Sequence, residues 1–249
     1  MHTSPADSPV WDDGRLADPH GQPDKAARVR AMFDEIAPTY ERVNRVLSAG
    51  RDAYWRRHAV QMAVIQLDDR VLDLACGTGD FARAFAVAKP KVVIGCDFAE
   101  QMLRQAADRR IEDIRWCMGD ALTLPFADAS FTVASCAFGV RNWQSLDRGL
   151  TEVFRVLRKG GRFVILEFSM PRAPLVARAY QLYFRRILPT VATWISGDRT
   201  GAYRYLPASV TAFIDEAGMT ASLRAAGFAR VEARRLTLGI VTVFVAWKD

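Results

Sequence analysis

The sequence predicts an α/β protein with a mostly parallel sheet, and the stretch from Arg70 to Asp97 is the main reason. An apolar run at residues 71–75 meets a glycine-rich turn at residues 76–79, and a helical pattern follows. A second β-branched run then ends at Asp97, twenty residues beyond Gly77. This is the layout of a nucleotide-binding βαβ unit, in which glycines let the backbone approach the ligand and a strand-end acid binds ribose hydroxyls.

Strand and helix patterns alternate along the rest of the chain, which indicates right-handed crossovers between parallel strands. Further strands are predicted at residues 114–118, 131–137 and 162–168, and a closing hairpin at residues 230–237 and 241–247. The hairpin would place one antiparallel strand in a seven-stranded sheet. That ending is typical of the Rossmann-like class I S-adenosylmethionine-dependent methyltransferase fold and unlike a dinucleotide dehydrogenase.

The segments outside the sheet divide into a tail, a cap and an insertion. Residues 1–24 are rich in Asp, Pro, Gly and His, so a mobile tail is expected. Helical patterns over residues 25–66, with a new segment starting at Pro38, predict a cap over the ligand crevice. Residues 171–225 read as a helical insertion, so residues 25–249 are expected to form a single methyltransferase domain.

Acidic residues at the strand ends decide between two classes of ligand. The loop fits the dinucleotide pattern G-x-G-x-x-A, but Asp73 lies four residues before Gly77 and would repel a pyrophosphate. S-adenosylmethionine carries an ammonium, a sulfonium and no phosphate, so it is favoured over NAD. Asp120, at the end of the third strand, is suited to bind an adenine amino group. The alternatives are an ordinary β-to-α turn and a turn-forming Asp120.

Composition narrows the classes of protein further. The chain has 249 residues, a net charge of +6, four cysteines and three histidines. No metal site is expected, and the cysteines read as buried hydrophobes in a reducing compartment. The positive charge suits anionic surfaces without choosing between nucleic acid and lipid. No signal peptide or membrane span is visible, which predicts a cytoplasmic protein, either soluble or peripheral at the inner face of the membrane.

Eight short segments carry a resemblance to a known family. In order they are MFDEIAPTYERVN, LSAGRDAYW, VLDLACGTGD, GDALTLPF, FGVRN, LEFSMP, YRYLPASV and GIVTV. Together they resemble the ubiquinone/menaquinone biosynthesis C-methyltransferases, from about Ala27 to Lys248. The resemblance implies S-adenosylmethionine as methyl donor and a polyprenylated demethylquinol as acceptor, with demethylmenaquinol as the expected one.

The resemblance also assigns residues to the donor site. It places Thr78 of the loop, Asp97 and the pair Asp120-Ala121 in that site, beside Asp73, Gly77 and Gly79 from the spacing argument. Tyr40 begins the family pattern Y-x-x-x-N and is expected to close the site over the donor. Simple packing of Tyr40 inside the cap is the alternative.

The chemistry of the acceptor points to two further residues. Carbon methylation of a quinol is easiest when the adjacent hydroxyl has lost its proton, and ionising a phenol at pH 7 costs about 4 kcal/mol. Arg141 and Asn142 follow the fourth strand, where a guanidinium could stabilise the phenolate and an amide could hold a ring oxygen. Alternatively, Arg141 forms an ion pair with Asp147 or Glu152.

Other functions remain open at this level. They are a ubiquinone-pathway quinol C-methyltransferase, a methyltransferase for RNA or another small molecule, and a catalytically silent scaffold subunit. The tetrapeptide after the fourth strand is Ala-Phe-Gly-Val, not the Asn/Asp-Pro-Pro-aromatic sequence of many base N-methyltransferases, so nucleic acid is not an expected partner. Homodimerisation is left open.

Residues 174–188 predict an amphipathic helix that could lie in an anionic membrane interface. The apolar stripe comprises Leu175, Ala179, Leu182, Tyr183 and Ile187, and the basic edge comprises Arg178, Arg185 and Arg186. The alternative is an ordinary helix whose apolar stripe faces the core.

Overall fold

Seven strands form one sheet in the computed structural model, which describes residues 10–109 and 113–249. They are β1 (Arg70–Leu74), β2 (Val92–Asp97), β3 (Ile114–Met118), β4 (Phe131–Ala137), β5 (Leu157–Phe168), β6 (Arg230–Leu236) and β7 (Val241–Trp247). Their spatial order is β3-β2-β1-β4-β5-β7-β6, and β7 runs in the direction opposite to the other six strands. The predicted fold class is therefore confirmed.

Ten α-helices accompany the sheet in the described residues. They are α1 (Asp13–Leu16), α2 (Lys25–Leu47), α3 (Arg51–Ala63), α4 (Asp80–Ala86), α5 (Glu100–Asp108), α6 (Leu146–Val156), α7 (Pro174–Leu182), α8 (Leu188–Ser196), α9 (Ala202–Ala212) and α10 (Glu216–Ala225). A π-helical turn, Tyr183–Ile187, joins α7 to α8, and 3₁₀ turns occupy Val140–Asn142 and Thr237–Gly239. None of the helices in this part of the chain has the length and apolar character needed to cross a bilayer.

Side chains on the central strands alternate between two hydrophobic cores, one on each face of the sheet. Leu72 and Leu74 of β1 enter the first core, and Val71 enters the second. Because both faces are covered by helices, the strands are nearly continuous apolar runs. The strand order reverses between β1 and β4, which opens a crevice at their carboxyl ends.

Two predicted boundaries are wrong. Pro38 lies inside α2 and does not start a new segment, because it is exposed and the buried Ile36, Ala37 and Val43 hold the helix on both sides. A proline removes only one helical hydrogen bond, which this packing can offset. Strand β5 begins at Leu157 and not at Arg162, passing through Gly160 with φ at +74°.

A third hydrophobic cluster lies under the helical cap and includes part of the segment predicted to be a mobile tail. Trp11 is fully buried there and stacks on Tyr205 with ring centroids 4.2 Å apart. Its backbone N–H donates to the carbonyl of Thr200 at 2.9 Å. From residue 10 onward this packing differs from the prediction, because one tryptophan supplies the apolar surface that the composition lacks. Residues 1–9 lie outside the described residues.

The burial of Trp11 leads to a stability prediction. Trp11→Ala should lower the free energy of unfolding by about 3–5 kcal/mol, since it removes a large buried side chain and leaves a cavity. Trp194→Ala, at a residue that is 86% exposed, should change it by less than about 0.5 kcal/mol. Urea denaturation measures both. Equal effects in the two variants would contradict the packing of the N-terminal segment.

Candidate active site

The carboxyl ends of β1, β2, β3 and β4 surround a cavity with a volume of about 60 Å³. Four predicted donor-site residues line it: Gly77, Asp97, Asp120 and Ala121. A smaller adjoining cavity of about 30 Å³ is lined by Asp73, Gly77 and Thr78, among others. Gly79 lines neither cavity. It starts α4 with φ at +87°, where a β-carbon would collide with the ring of Trp116.

Asp97 organises the glycine loop from the end of β2. Its Oδ2 accepts the backbone N–H of Gly77 at 2.7 Å, and its Oδ1 accepts that of Ala99 at 2.8 Å. Burial raises the pKa of Asp97 to about 6. Each carboxylate oxygen keeps a second lone pair, so the group can hold the loop and still accept a hydrogen bond from a ligand hydroxyl.

Asp73 is fully buried on β1 beside the smaller cavity. Its Oδ1 accepts the hydroxyl of Ser135 at 2.7 Å, while its Oδ2 has no hydrogen-bond partner among the described residues. Burial raises the pKa of Asp73 to about 7. A buried carboxylate oxygen without a partner suits a cation, so these residues fit a donor that carries an ammonium and a sulfonium.

Asp120 forms a turn and also lines a donor-side cavity, which are the two alternatives that the sequence left open. Its Oδ1 accepts the backbone N–H of Leu122 at 2.9 Å, which is a turn-forming contact, and the residue is exposed. It nevertheless lines the rim of the donor-side cavity, next to the buried Ala121. Because Asp120 is open to water, a hydrogen bond that it accepts from a ligand would be weaker than one that Asp97 accepts.

A larger cavity of about 210 Å³ lies between the sheet and the helices of the cap and insertion. Most of its wall is apolar, and ten aromatic side chains contribute to it. They are Phe33, Tyr40, Trp55, Phe138, Phe168, Tyr180, Tyr183, Phe184, Tyr203 and Tyr205. Such a wall suits a flat ring with an apolar substituent.

Four residues link the larger cavity to the donor side. Tyr40 of α2 lines all three cavities, and Phe33 and Phe138 line the larger cavity and the first donor-side one. Arg56 of α3 lines the larger and the smallest, and its Nη1 donates to Asp52 Oδ2 at 2.8 Å. Burial raises the pKa of Tyr40, so its hydroxyl stays protonated. The place where these side chains meet is where a donor and an acceptor could touch.

Arg141 lines the larger cavity from the 3₁₀ turn after β4. Its Nη1 donates to Glu167 Oε1 at 2.8 Å and to the carbonyl of Phe138 at 2.5 Å. The predicted alternative partners, Asp147 and Glu152, are wrong: Glu152 pairs instead with Arg155 on its own helix, and the carboxylate nearest Arg141 comes from β5. Burial raises the pKa of Glu167.

Asn142 lies on the donor side of the same turn. It lines the cavity that holds Asp97 and is absent from the wall of the larger one. Its Oδ1 accepts the hydroxyl of Tyr205 at 3.0 Å, and its Nδ2 donates to the carbonyl of Phe138 at 3.3 Å. These contacts place its amide between the two sides, which differs from the expected position on the acceptor ring.

Sequence reasoning missed several contributors to the site. Glu167 stands inside the quoted motif LEFSMP, and an acid at the carboxyl end of β5 was a signal that could have found it. Arg56 stands beside Arg57 on α3, and it is buried although most arginines lie at the surface. Lys25 has no local signal, because its contacts reach residues more than one hundred positions away.

A family model described as the ubiE/COQ5 methyltransferase family matches residues 22–248. The chain belongs to this family. The protein is therefore a methyltransferase, and S-adenosylmethionine is its methyl donor. The resemblance drawn from the eight short segments is confirmed.

Individual proteins show how close the relationship is. The chain is 46% identical to a protein of Deinococcus radiodurans named demethylmenaquinone methyltransferase, covering 90% of this chain and 94% of the relative. It is 40% identical to a protein of Geotalea daltonii named ubiquinone/menaquinone biosynthesis C-methyltransferase UbiE, covering 90% and 98%. A solved S-adenosylmethionine-dependent methyltransferase of Thermotoga maritima superposes with a TM-score of 0.63 at 20% identity, covering 88% and 99%, which shows the fold alone.

The buried acids of the donor side give the donor-free protein a characteristic pH dependence. The pKa of Asp73, about 7 in the fold against 3.8 for an ordinary carboxyl, means that the folded protein binds this proton more tightly than the unfolded chain. The stability it contributes is present below about pH 4 and is lost as the pH rises through 7. Asp97 acts in the same direction.

We therefore expect Asp73→Asn to flatten the fall in unfolding free energy between pH 4 and pH 7, because an amide does not ionise there. The slope of unfolding free energy against pH should become smaller but should not reach zero, because Asp97 still ionises in this range. Asp68→Asn, at an exposed position, is the matched control and should leave the slope in place. Urea denaturation of the donor-free protein at several pH values measures it, and an unchanged slope in Asp73→Asn would refute the assignment.

Proposed function

We propose that the protein transfers a methyl group from S-adenosylmethionine to a ring carbon of a polyprenylated demethylquinol, specifically demethylmenaquinol. The observation that carries the proposal is the aromatic-walled cavity that meets the donor side at Tyr40 and Phe138. The Deinococcus radiodurans relative is named demethylmenaquinone methyltransferase, and it is more similar to this chain than the Geotalea daltonii relative is. This similarity supports the naphthoquinol as the acceptor.

The wall of the larger cavity matches the two parts of such an acceptor. A naphthoquinol ring can stack on aromatic side chains, which gain more from an offset or edge contact than from area alone. The prenyl tail gains about 25 cal/mol for each Å² of apolar surface that it buries. RNA would need a basic groove, and the wall of this cavity is instead mostly apolar.

The polar groups of the site supply the charge that the reaction needs. S-adenosylmethionine, when bound, offers an electrophilic methyl carbon on a sulfonium. Arg141 places a guanidinium in the wall of the acceptor cavity, where it stabilises the phenolate that makes the adjacent ring carbon nucleophilic. The bound donor would supply its methyl group to that carbon and leave as a neutral thioether, and the methylated carbon would then give its proton to water, which restores the aromatic ring.

The remaining predicted residues position the two partners. Asp73 and Asp97 hold the cationic donor at the strand ends, and Thr78 and the glycines shape the loop beneath it. Tyr40, which lines every one of the three cavities, shields the point of contact from water and fixes the approach of ring and methyl. Asn142 anchors the turn that carries Arg141, through Tyr205 and Phe138.

A direct assay tests the function. Purified protein is incubated with methyl-labelled S-adenosylmethionine and, in parallel, with reduced demethylmenaquinol or with a demethylated benzoquinol of the ubiquinone type. Transfer of label to the naphthoquinol with a higher kcat/KM is the expected result. A preference for the benzoquinol would move the protein to the ubiquinone pathway. Donor binding without transfer to either quinol would indicate a scaffold subunit.

Arg141→Lys separates catalysis from the structural ion pair. Lysine keeps a positive charge for Glu167 but loses the forked guanidinium, so kcat should fall by about 100-fold while donor affinity and Tm stay close to the parent values. The loss should shrink at high pH, where a quinol with a pKa of about 10 ionises without help.

Arg155→Lys is the matched control for that variant, because it replaces an arginine that pairs with Glu152 away from the cavities. It should leave kcat unchanged. A fall in donor affinity as large as the fall in kcat, or a collapse of Tm in Arg141→Lys, would assign Arg141 to structure alone.

We also propose that the protein reaches its acceptor through weak contact with an anionic membrane. Four large apolar side chains on α7, the π turn and α8 face solvent: Leu175 is 79% exposed, Leu182 58%, Ile187 48% and Trp194 86%. Arg178, Arg185 and Arg186 are exposed on the same stretch. We name these seven residues the lipid face.

The opposite face of this stretch forms part of the acceptor cavity, which links the two surfaces. Tyr180, Phe184 and Leu188 point inward and line the cavity. Tyr183, predicted to belong to the apolar stripe, also lines it, and its hydroxyl donates to the carbonyl of Leu47 at 2.8 Å. One stretch of chain therefore separates the apolar cavity from the exposed lipid face.

Cosedimentation with vesicles tests the lipid face. Each arginine near an anionic surface contributes about 1 kcal/mol, so binding to phosphatidylglycerol vesicles should be reversible and should weaken as salt rises. Replacing Arg178, Arg185 and Arg186 by Glu should abolish it. Replacing Lys89, Lys91 and Arg115 by Glu makes the same charge change elsewhere on the surface and should keep most of the binding. Equal losses in both variants would indicate net charge and not a docking surface.

A further inference from the structure

Lys25, the first residue of α2, is buried against the turn that carries Arg141 and Asn142. Lys25 is only 3% exposed. Its Nζ donates to the carbonyl of Arg141 at 2.9 Å and to that of Trp143 at 2.7 Å. The same Nζ lies 3.1 Å from His20 Nδ1. One ammonium group thus binds two carbonyl oxygens on either side of Asn142.

Lys25 has no carboxylate partner within ion-pair distance among residues 10–109 and 113–249. Burial and the nearby charge of Arg141 lower the pKa of Lys25 to about 8. An amine placed where its charge is disfavoured, yet with all three hydrogen-bonding directions in use, serves as a donor and not as half of an ion pair.

The residues just before Lys25 tie the same turn to the rest of the cap. His20 Nε2 lies 2.8 Å from the carbonyl of Ser209, and the hydroxyl of Ser209 lies 3.4 Å from Arg141 Nε. The carbonyl of Gln22 accepts from Gln144 Nε2 at 3.0 Å. The backbone N–H of Ala26 donates to Gln144 Oε1 at 2.9 Å. We name residues 20–26 the N-terminal clasp.

Few backbone hydrogen bonds lie within the turn itself. Within residues 139–143 its internal backbone bonds are Asn142 N–H to the Gly139 carbonyl at 2.9 Å and Trp143 N–H to the Val140 carbonyl at 3.3 Å. A single 3₁₀ turn of this kind is easily rearranged. Without the clasp, the buried carbonyls of Arg141 and Trp143 would lose their Lys25 donor, which buried polar groups rarely tolerate.

We propose that Lys25 is a positioning residue that, with the N-terminal clasp, fixes the turn so that Arg141 faces the acceptor cavity while Asn142 faces the donor cavity. The role of Lys25 in catalysis rests on the proposed function. Its effect on the turn does not, because that effect follows from the hydrogen bonds alone. A segment that precedes the whole sheet in sequence thereby becomes part of the active site.

The test compares Lys25→Met with Arg30→Met, which removes a cation from an exposed position on the same helix. Hydrogen exchange of the backbone amides of residues 139–144 should speed up at least tenfold in Lys25→Met and stay at the parent rate in Arg30→Met. This readout needs no quinol, so it stands even if the proposed acceptor is wrong. Unchanged exchange in Lys25→Met would overturn the proposal.

A double-variant cycle asks whether Lys25 acts through Arg141. With demethylmenaquinol as acceptor, Lys25→Met should lower kcat about tenfold, and the pair Lys25→Met with Arg141→Lys should be no slower than Arg141→Lys alone. A merely structural role would give multiplied losses in the double variant and would overturn the catalytic half of the proposal.

If Lys25→Met does not fold, His20→Ala keeps both carbonyl bonds of Lys25 and removes the link to Ser209. It should speed the same exchange by about threefold. Parent-like exchange in His20→Ala would count against the clasp.

Discussion

The geometry of the site depends on the buried ion pair between Arg141 and Glu167. Both side chains are almost fully enclosed, with the guanidinium 2.8 Å from one carboxylate oxygen and the other oxygen lacking a partner in the described residues. Removing two charges from water costs several kcal/mol for each ion, and only good geometry with further hydrogen bonds offsets it. The carbonyl of Phe138 and the hydroxyl of Ser209 supply those bonds, so the turn, β5 and α9 must keep their relative positions.

The two sides of the site carry opposite electrostatics, which suits two opposite charges. Buried carboxylates line the donor side, where burial raises the pKa of Asp73 and of Asp97 and a nearby cation would favour their ionised forms. Arginines and aromatic rings line the acceptor side, where a phenolate would form. Because Asp73, Asp97 and Arg141 are buried, each of their charges acts at a lower effective dielectric constant than at the surface. A sulfonium and a phenolate brought together here neutralise each other as the methyl group moves.

Fold and function depend on different parts of this chain. The sheet with its glycine loop is shared with proteins only 20% identical, so it indicates little beyond a methyltransferase-like architecture. Most of the wall of the proposed acceptor cavity instead comes from the helices that precede β1 and those that follow β5. Its wall includes Tyr40 and Trp55 from the first group and Tyr180, Phe184 and Tyr205 from the second. We therefore propose that the added helices select the acceptor and that the sheet selects the donor.

The sequence by itself determined the sheet, the glycine loop, the strand-end acids and the family. These follow from short-range patterns, since alternation, glycine spacing and strand-end acids are set by neighbours in the chain. Only the tertiary structure decided that Arg141 pairs with Glu167, that Asn142 turns to the donor side, and that Trp11 and Lys25 are buried. Each of those contacts joins residues far apart in the chain. Which of them form depends on how the helices pack and on which buried polar groups then need a hydrogen-bond partner. Local periodicity contains no information about such a need.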